Sequence, residues 1–191
     1  MAVGVVDRSI LRDLEDEVLA TRVNEDFDAF AELYDRYLCR VYRFVRSQTS
    51  DDATAEDLTA QTFFRALSSA HSFDGRGSYR AWIFRIAHNA IVTWRTTRMK
   101  APVVVELLPE EADPSPSPAA MAVSGEQQRL VRHLIGSLPP AQREVLSLRY
   151  LEDLEIEEIA RATGRSRGAV RILLHRARAA LRRAIENGAL G

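Results

Sequence analysis

Five of the seven prolines lie between residues 102 and 118, in APVVVELLPEEADPSPSPAA, and no other feature limits the fold as strongly. Proline fixes its own φ, offers no amide proton and steers the preceding residue away from helix. Neither a helix nor a central strand runs through such a stretch. Its acids and small residues predict an extended, flexible linker over 101–124. On either side lie segments of domain size, 24–100 and 125–186, with an acidic extension at 1–23 and a short tail at 187–191. No repeat at a solenoid period is visible.

Both segments carry helical periodicity. Phe27, Phe30, Tyr34, Tyr37, Leu38, Val41 and Val45 recur at three- and four-residue steps and predict an amphipathic helix over 27–47. Leu58, Phe63, Phe64 and Leu67 continue a second helix, for which Thr54 and Asp57 resemble a capping box. After the loop Phe73–Gly77, Ser78 is placed to cap a third helix running to about 98, with Trp82, Ile86, Ala90 and Val92 or Thr93 inward. The two glycines of that loop follow no strand, so a phosphate-binding loop is not indicated. The C-terminal segment predicts helices at 125–137, from Pro139-Pro140 through Leu148, at 155–163 and at 166–186. The expected fold class is all-α: two small helical domains joined by a flexible linker, the C-terminal one containing a helix-turn-helix.

The composition excludes several classes of function. A single cysteine, Cys39, rules out a disulfide framework and a multi-thiolate metal site and fits a reducing cytoplasm. The histidines at 71, 88, 133 and 175 lie too far apart for zinc-ligand spacing. Paired acids such as Asp51-Asp52, Glu110-Glu111 and Glu157-Glu158 point apart on helices and have no nucleophile or metal partner. No apolar run nears the ~20 residues of a membrane span. The opening MAVGVVDRSILRDLEDE turns acidic too early for a secretory signal. The expectation is a cytoplasmic protein with no metal, no cofactor and no catalytic residue.

The net charge of −1 conceals an uneven distribution. Residues 1–30 hold eight acids and three bases, and 101–128 hold five acids and no base. Residues 76–100 hold six bases and no acid, and 161–183 hold eight bases and no acid. Two basic islands in an acidic chain predict two contacts with polyanions, the alternative being plain solvated helix faces. The first island interleaves Arg76, Arg80, Arg85, Arg95, Arg98 and Lys100 with Phe73, Tyr79, Trp82, Phe84 and Trp94. Cations beside aromatic platforms suit unstacked DNA, where each stacked base gains about 1–3 kcal/mol. The opposing reading places Trp82 and Phe84 in the core.

The second island sits on a helix-turn-helix pattern. In Ile156-Glu-Glu-Ile159-Ala160-Arg-Ala-Thr-Gly164-Arg-Ser166-Arg-Gly-Ala-Val170, a small residue, a glycine and an aliphatic occupy the positions the motif needs. At roughly 100° per residue, Ala169, Val170, Leu173, Leu174, Ala177 and Leu181 fall on one side of the last helix. Arg167, Gly168, Arg171, Ile172, His175, Arg176, Arg178, Arg182 and Arg183 fall on the other. A solvated face normally mixes in acids, and here the first acid is Glu186. Arg167 and Arg171 are placed to reach base edges, whereas Arg176, Arg178, Arg182 and Arg183 are placed for phosphates. Ile172 is placed to touch a thymine methyl or to remain a spare surface residue.

Three stretches together, AEDLTAQTFFRAL, SFDGRGSYRAWIFRIAHNAIVTWR and LPPAQREVLSLRYLEDLEIEEIARATGRSRGAVRILLHRARAAL, resemble the extracytoplasmic-function sigma factors of the sigma-70 superfamily. The resemblance covers 24–100 as region 2 and 125–185 as region 4. It implies a transcription initiation factor that recruits core RNA polymerase to promoters, with an anti-sigma factor as a further partner. It assigns polymerase docking to Asp57, Leu58, Gln61, Phe63, Phe64 and Arg65. It assigns opening and reading of the minus-ten element to Phe73, Arg76, Ser78, Tyr79, Trp82, Arg85, Asn89, Trp94, Arg95 and Arg98. It assigns the minus-thirty-five element to Arg165, Ser166, Arg167, Arg171, His175, Arg176 and Arg178. The chain departs from the family pattern at Ala60-Gln61, where Gln-Glu is frequent, at Leu67 in place of tryptophan, and at Leu173 in place of arginine.

Two rival functions share parts of this pattern. A stand-alone helix-turn-helix regulator matches the C-terminal segment, but a receiver partner would show alternating strands and helices in the N-terminal half. A protein-interaction adaptor of helical bundles matches the periodicity but not the acid-free stretch 161–183.

Overall fold

The computed structural model describes residues 8–100 and 134–186. The expected linker at 101–124, the tail at 187–191 and most of the helix expected at 125–137 lie outside them. The N-terminal segment forms α1 (Arg8–Arg12), α2 (Asp16–Arg22), α3 (Phe27–Arg46), α4 (Asp52–Ser68), a 3-10 turn (Ala70–Ser72) and α5 (Tyr79–Lys100). The C-terminal segment forms α6 (Pro140–Tyr150), α7 (Ile156–Thr163) and α8 (Arg167–Glu186). No strand occurs among the described residues, and the protein is all-α with two helical units.

Helix starts follow the local chemistry. The α3 helix begins after Asp26, whose side chain accepts from the Asp28 amide at 2.9 Å. The expected cap of α4 is corrected. Asp51, not Thr54, holds the start, accepting from the Thr54 amide at 2.7 Å and its hydroxyl at 2.9 Å. A short carboxylate at the positive helix end does both tasks, so Thr54 serves as its donor. The Thr54 amide bond also holds the Asp51 carboxyl below its ordinary range. Ser78 caps α5 as expected, accepting from the Ala81 amide at 3.2 Å.

Two features were not anticipated. The extension at 1–23 holds α1 and α2, whose Leu11 and Leu19 are fully buried. Arg36 of α3 clasps them, donating to Asp16 at 2.7 Å and to the carbonyls of Leu14 at 2.9 Å and Arg12 at 2.8 Å. Helices of five and seven residues are too short to show periodicity and form only by docking on others. The expected inner face of α5 is also corrected. Ala90 is buried, but Trp82 and Ile86 are only half-buried, and Val92 and Thr93 are exposed. Tyr79, Ala81, Ile83, Phe84, Ala87 and Ile91 are buried instead. The reason is that α5 packs on α3 and α4 on one side and on α7 on the other, so its apolar residues wrap around it.

The helix-turn-helix forms as its residues predict. Gly164 takes the left-handed conformation, φ 68°, that ends α7, and Val170 is fully buried beneath the turn. Glu155 and Glu158 form a reciprocal capping box at the start of α7. One hydrophobic core runs through both segments, joining Val41, Phe44, Ile83, Phe84 and Ile91 to Leu148, Leu154, Ile159 and Val170. A smaller cluster of Ile135, Leu138, Leu146 and Ala177 secures α8 on α6. The two helical units therefore pack directly against each other.

Candidate nucleic-acid interface

The two sides of α8 separate as the helical wheel requires. Val170, Leu174 and Ala177 are buried, and Ala169, Leu173 and Leu181 are half-buried. Arg167, Arg171, Ile172, His175, Arg176, Arg178, Arg182 and Arg183 are all exposed. Two of these arginines have neighbours that hold them near the surface. Arg167 stands 3.3 Å from Glu157, and the Arg178 guanidinium lies 5.4 Å from the Tyr150 ring centre. Ser166 accepts from the Ala169 amide at 3.2 Å, which makes it the cap of α8. Arg165 differs from the rest, being half-buried with its Nη1 2.6 Å from Glu144 Oε2.

The first island is more divided. Arg76, Arg85, Asn89 and Arg98 are exposed, and the Arg98 guanidinium lies 5.6 Å from the Trp94 ring centre. Phe73 and Tyr79 are buried, at 9% and 2% exposure, so neither offers a ring face to solvent. Tyr79 packs edge-on to Tyr37 at 5.3 Å and Phe73 at 5.7 Å, and burial pushes its hydroxyl pKa up. Trp82 is half-buried against the same cluster, and Phe84 is fully buried. Arg95 is half-buried and donates to the Gln48 side chain at 3.0 Å. The Glu17 carboxylate of α2 accepts from the Tyr79 amide at 2.8 Å, holding the first residue of α5 from outside its own helix.

On α4, Asp57, Gln61, Phe64 and Arg65 are exposed on one face, with Phe64 72% exposed. Leu58 and Phe63 are buried in the core behind that face, at 2% and 4%. They shape the face without being presented on it. Phe64, Arg65, Ser68 and Ser69 border an open groove whose other wall is Ile86 and Asn89 of α5.

Three acids join the two segments, and one of them, Glu158, is the half of the Glu157-Glu158 pair that finds partners across the chain. Glu152 has no exposed side-chain surface and lies between Arg40, at 3.2 Å, and Arg43, at 3.0 Å. Burial pushes its carboxyl up against the pull of both arginines. Glu144, on α6, is bonded to His88 of α5 and to Arg165. Burial alone would raise the Glu144 carboxyl, but His88 and Arg165 hold it below its ordinary range. Glu158 meets Ser78 and Arg80 at the start of α5. The available signal was an acid at an otherwise apolar position, as Glu144 stands directly before Val145 and Leu146.

Residues 33–100 match the Sigma-70 region 2 family, and residues 128–181 match the Sigma-70 region 4 family. The ECF RNA polymerase sigma factor BldN of Streptomyces coelicolor is 32% identical over 85% of this chain and 62% of its own length. The probable RNA polymerase sigma factor RfaY of Xanthomonas campestris is 33% identical over 70% of this chain and 34% of its own. This chain thus spans less than two thirds of either relative. The ECF RNA polymerase sigma factor SigM of Bacillus subtilis is 31% identical over 82% of this chain and 95% of its own. Among solved structures, CnrH in complex with the cytosolic domain of CnrY shares the fold, with a TM-score of 0.69 and 24% identity over 91% of this chain and 98% of that one.

Proposed function

This chain belongs to the extracytoplasmic-function sigma factors of the sigma-70 family, and we propose that it directs core RNA polymerase to specific promoters and promotes their opening. The observation that carries this reading is the α8 surface, a row of exposed arginines with no acid between 161 and 183, mounted on a helix-turn-helix. In this account the unit 24–100 docks on polymerase and handles the minus-ten element, and the unit 125–186 reads the minus-thirty-five element. The exposed face of Asp57, Gln61, Phe64 and Arg65 meets the polymerase. Arg76, Arg85, Asn89 and Arg98 follow the opened strand, while Phe73, Tyr79 and Trp82 support that surface from within. Arg167 and Arg171 read base edges, and Arg176, Arg178, Arg182 and Arg183 hold the backbone. The setting is the cytoplasm, and an anti-sigma factor is a further partner. A stand-alone regulator would use α8 alike but would leave the exposed Phe64 face without a task.

The test separates base reading from backbone holding. Arg171→Ala should relax preference at one or two minus-thirty-five positions by about 1–3 kcal/mol each. Arg182→Ala should weaken every promoter alike and reduce the salt slope by about one ion. Holoenzyme binding to a set of promoter variants at several salt concentrations measures both. An identical, sequence-independent loss in the two variants would show that α8 does not enter the groove by its N-terminal end.

A further inference from the structure

The first basic island opens at the N-terminus of α5, and a carboxylate from the other unit already occupies that place. Glu158 of α7 accepts from the Ser78 hydroxyl, and the same oxygen stands 4.0 Å from Arg80 Nε. Its other oxygen takes the Glu155 amide at 2.8 Å. Arg80 also donates to the Asp153 carbonyl at 3.1 Å. Arg161, one helical turn beyond Glu158, comes so close to the loop that a Cβ on Gly77 would stand 3.1 Å from its Nη1. A hydroxyl at a helix start with an arginine beside it is a setting that holds a phosphate oxygen in nucleic-acid complexes.

Two contacts made by buried acids stand behind this one. Glu152 joins α6–α7 to Arg40 and Arg43 of α3, and Glu144 joins α6 to His88 of α5. Ser47 and Ser147 add a hydroxyl pair at 3.0 Å. Buried ion pairs lose in desolvation roughly what they gain in attraction, so such contacts fix a geometry more than they add stability. An arrangement of that kind is open to displacement by a stronger polyanion.

We propose that Glu158 stands in for a promoter phosphate, so that the helix-turn-helix unit closes over the start of α5 and withholds it from the melted minus-ten strand. The α8 face stays open to duplex DNA in this closed form, because its arginines are exposed. The proposal rests on the reading of α5 as the minus-ten surface. Entry of the strand requires the two units to part, and the same displacement frees Ser78 and Arg80 for it.

Glu158→Gln removes the charge but keeps a side-chain acceptor at the capping-box position, so α7 retains its start. Glu152→Gln loosens the far end of the contact at α3, away from Ser78. Full-length protein is measured without DNA by small-angle scattering. Its affinity is measured for a single-stranded 20-mer from the non-template minus-ten region of a promoter that the holoenzyme transcribes, and for the upstream duplex of equal length. Both variants should show a larger radius of gyration and bind the single strand about 5-fold more tightly or better, with less than about 2-fold change on the duplex. Unchanged dimensions in both variants would overturn the proposal. So would opening with no gain on the single strand, or an equal gain on both probes, which lost charge alone explains. Run-off transcription by the holoenzyme reports separately on the underlying reading of α5, and scattering decides the closure whatever its result.

Discussion

Phe64→Ala should weaken association with core RNA polymerase by about 2 kcal/mol or more, roughly 30-fold, and leave the melting temperature unchanged. Interface energy concentrates in a few large aromatic and arginine anchors that lose their water on binding. Phe64 is 72% exposed in the free protein, so its ring contributes little to folding and has much apolar surface left to bury. It is flanked on the same face by Asp57, Gln61 and Arg65, which form a polar surround. Fluorescence competition for core polymerase gives the affinity, and a thermal melt gives the control. An unchanged affinity would remove α4 from the docking surface, and a lowered melting temperature would show that Phe64 serves the fold.

Tyr79→Ala should destabilise the protein by about 3–5 kcal/mol, as a large aromatic removed from a packed core does. The ring is 2% exposed and touches Tyr37, Phe73 and Trp82. Its lost transcription should follow the unfolded fraction, and a template with a pre-melted minus-ten region should not restore it. Arg76→Ala, at an exposed loop position, should change stability by no more than about 0.5 kcal/mol. Its defect should lie in strand opening, and the pre-melted template should recover much of it because unstacking is already done. Urea unfolding and transcription on the two templates distinguish these cases. A stable Tyr79→Ala protein that fails only on duplex templates would place the ring on the DNA after all.

The contrast between these two residues shows where the sequence was legible. Helix α8 could be read residue by residue because it has one packed side, and a single period then divides its arginines from Val170, Leu174 and Ala177. Helix α5 could not, because α7 covers a second side of it and the period no longer marks one inward face. An aromatic beside an arginine looks alike in sequence whether its ring stacks on a base or fills a core, as Phe73, Tyr79 and Phe84 do. The same limit applies to Leu58 and Phe63 on α4, where the family resemblance marked a stretch and burial decides which side chains it presents. The partners of Glu144, Glu152 and Glu158 are not legible in the sequence, since a residue far away along the chain leaves no local mark at the acid, and the apolar run after Glu144 marks only its burial. Arg43, one partner of Glu152, is 109 residues distant.

The role proposed for this chain is to give RNA polymerase its choice of promoter. Purified chain and core polymerase, together and separately, should be assayed for run-off transcription on genomic fragments. Transcripts of discrete length should appear only when both are present, reduced by Phe64→Ala and shifted in promoter preference by Arg171→Ala. Polymerase that starts no differently with the chain than without it would overturn the proposed role. So would a chain that binds specific duplex sites and alters transcription without ever associating with core polymerase.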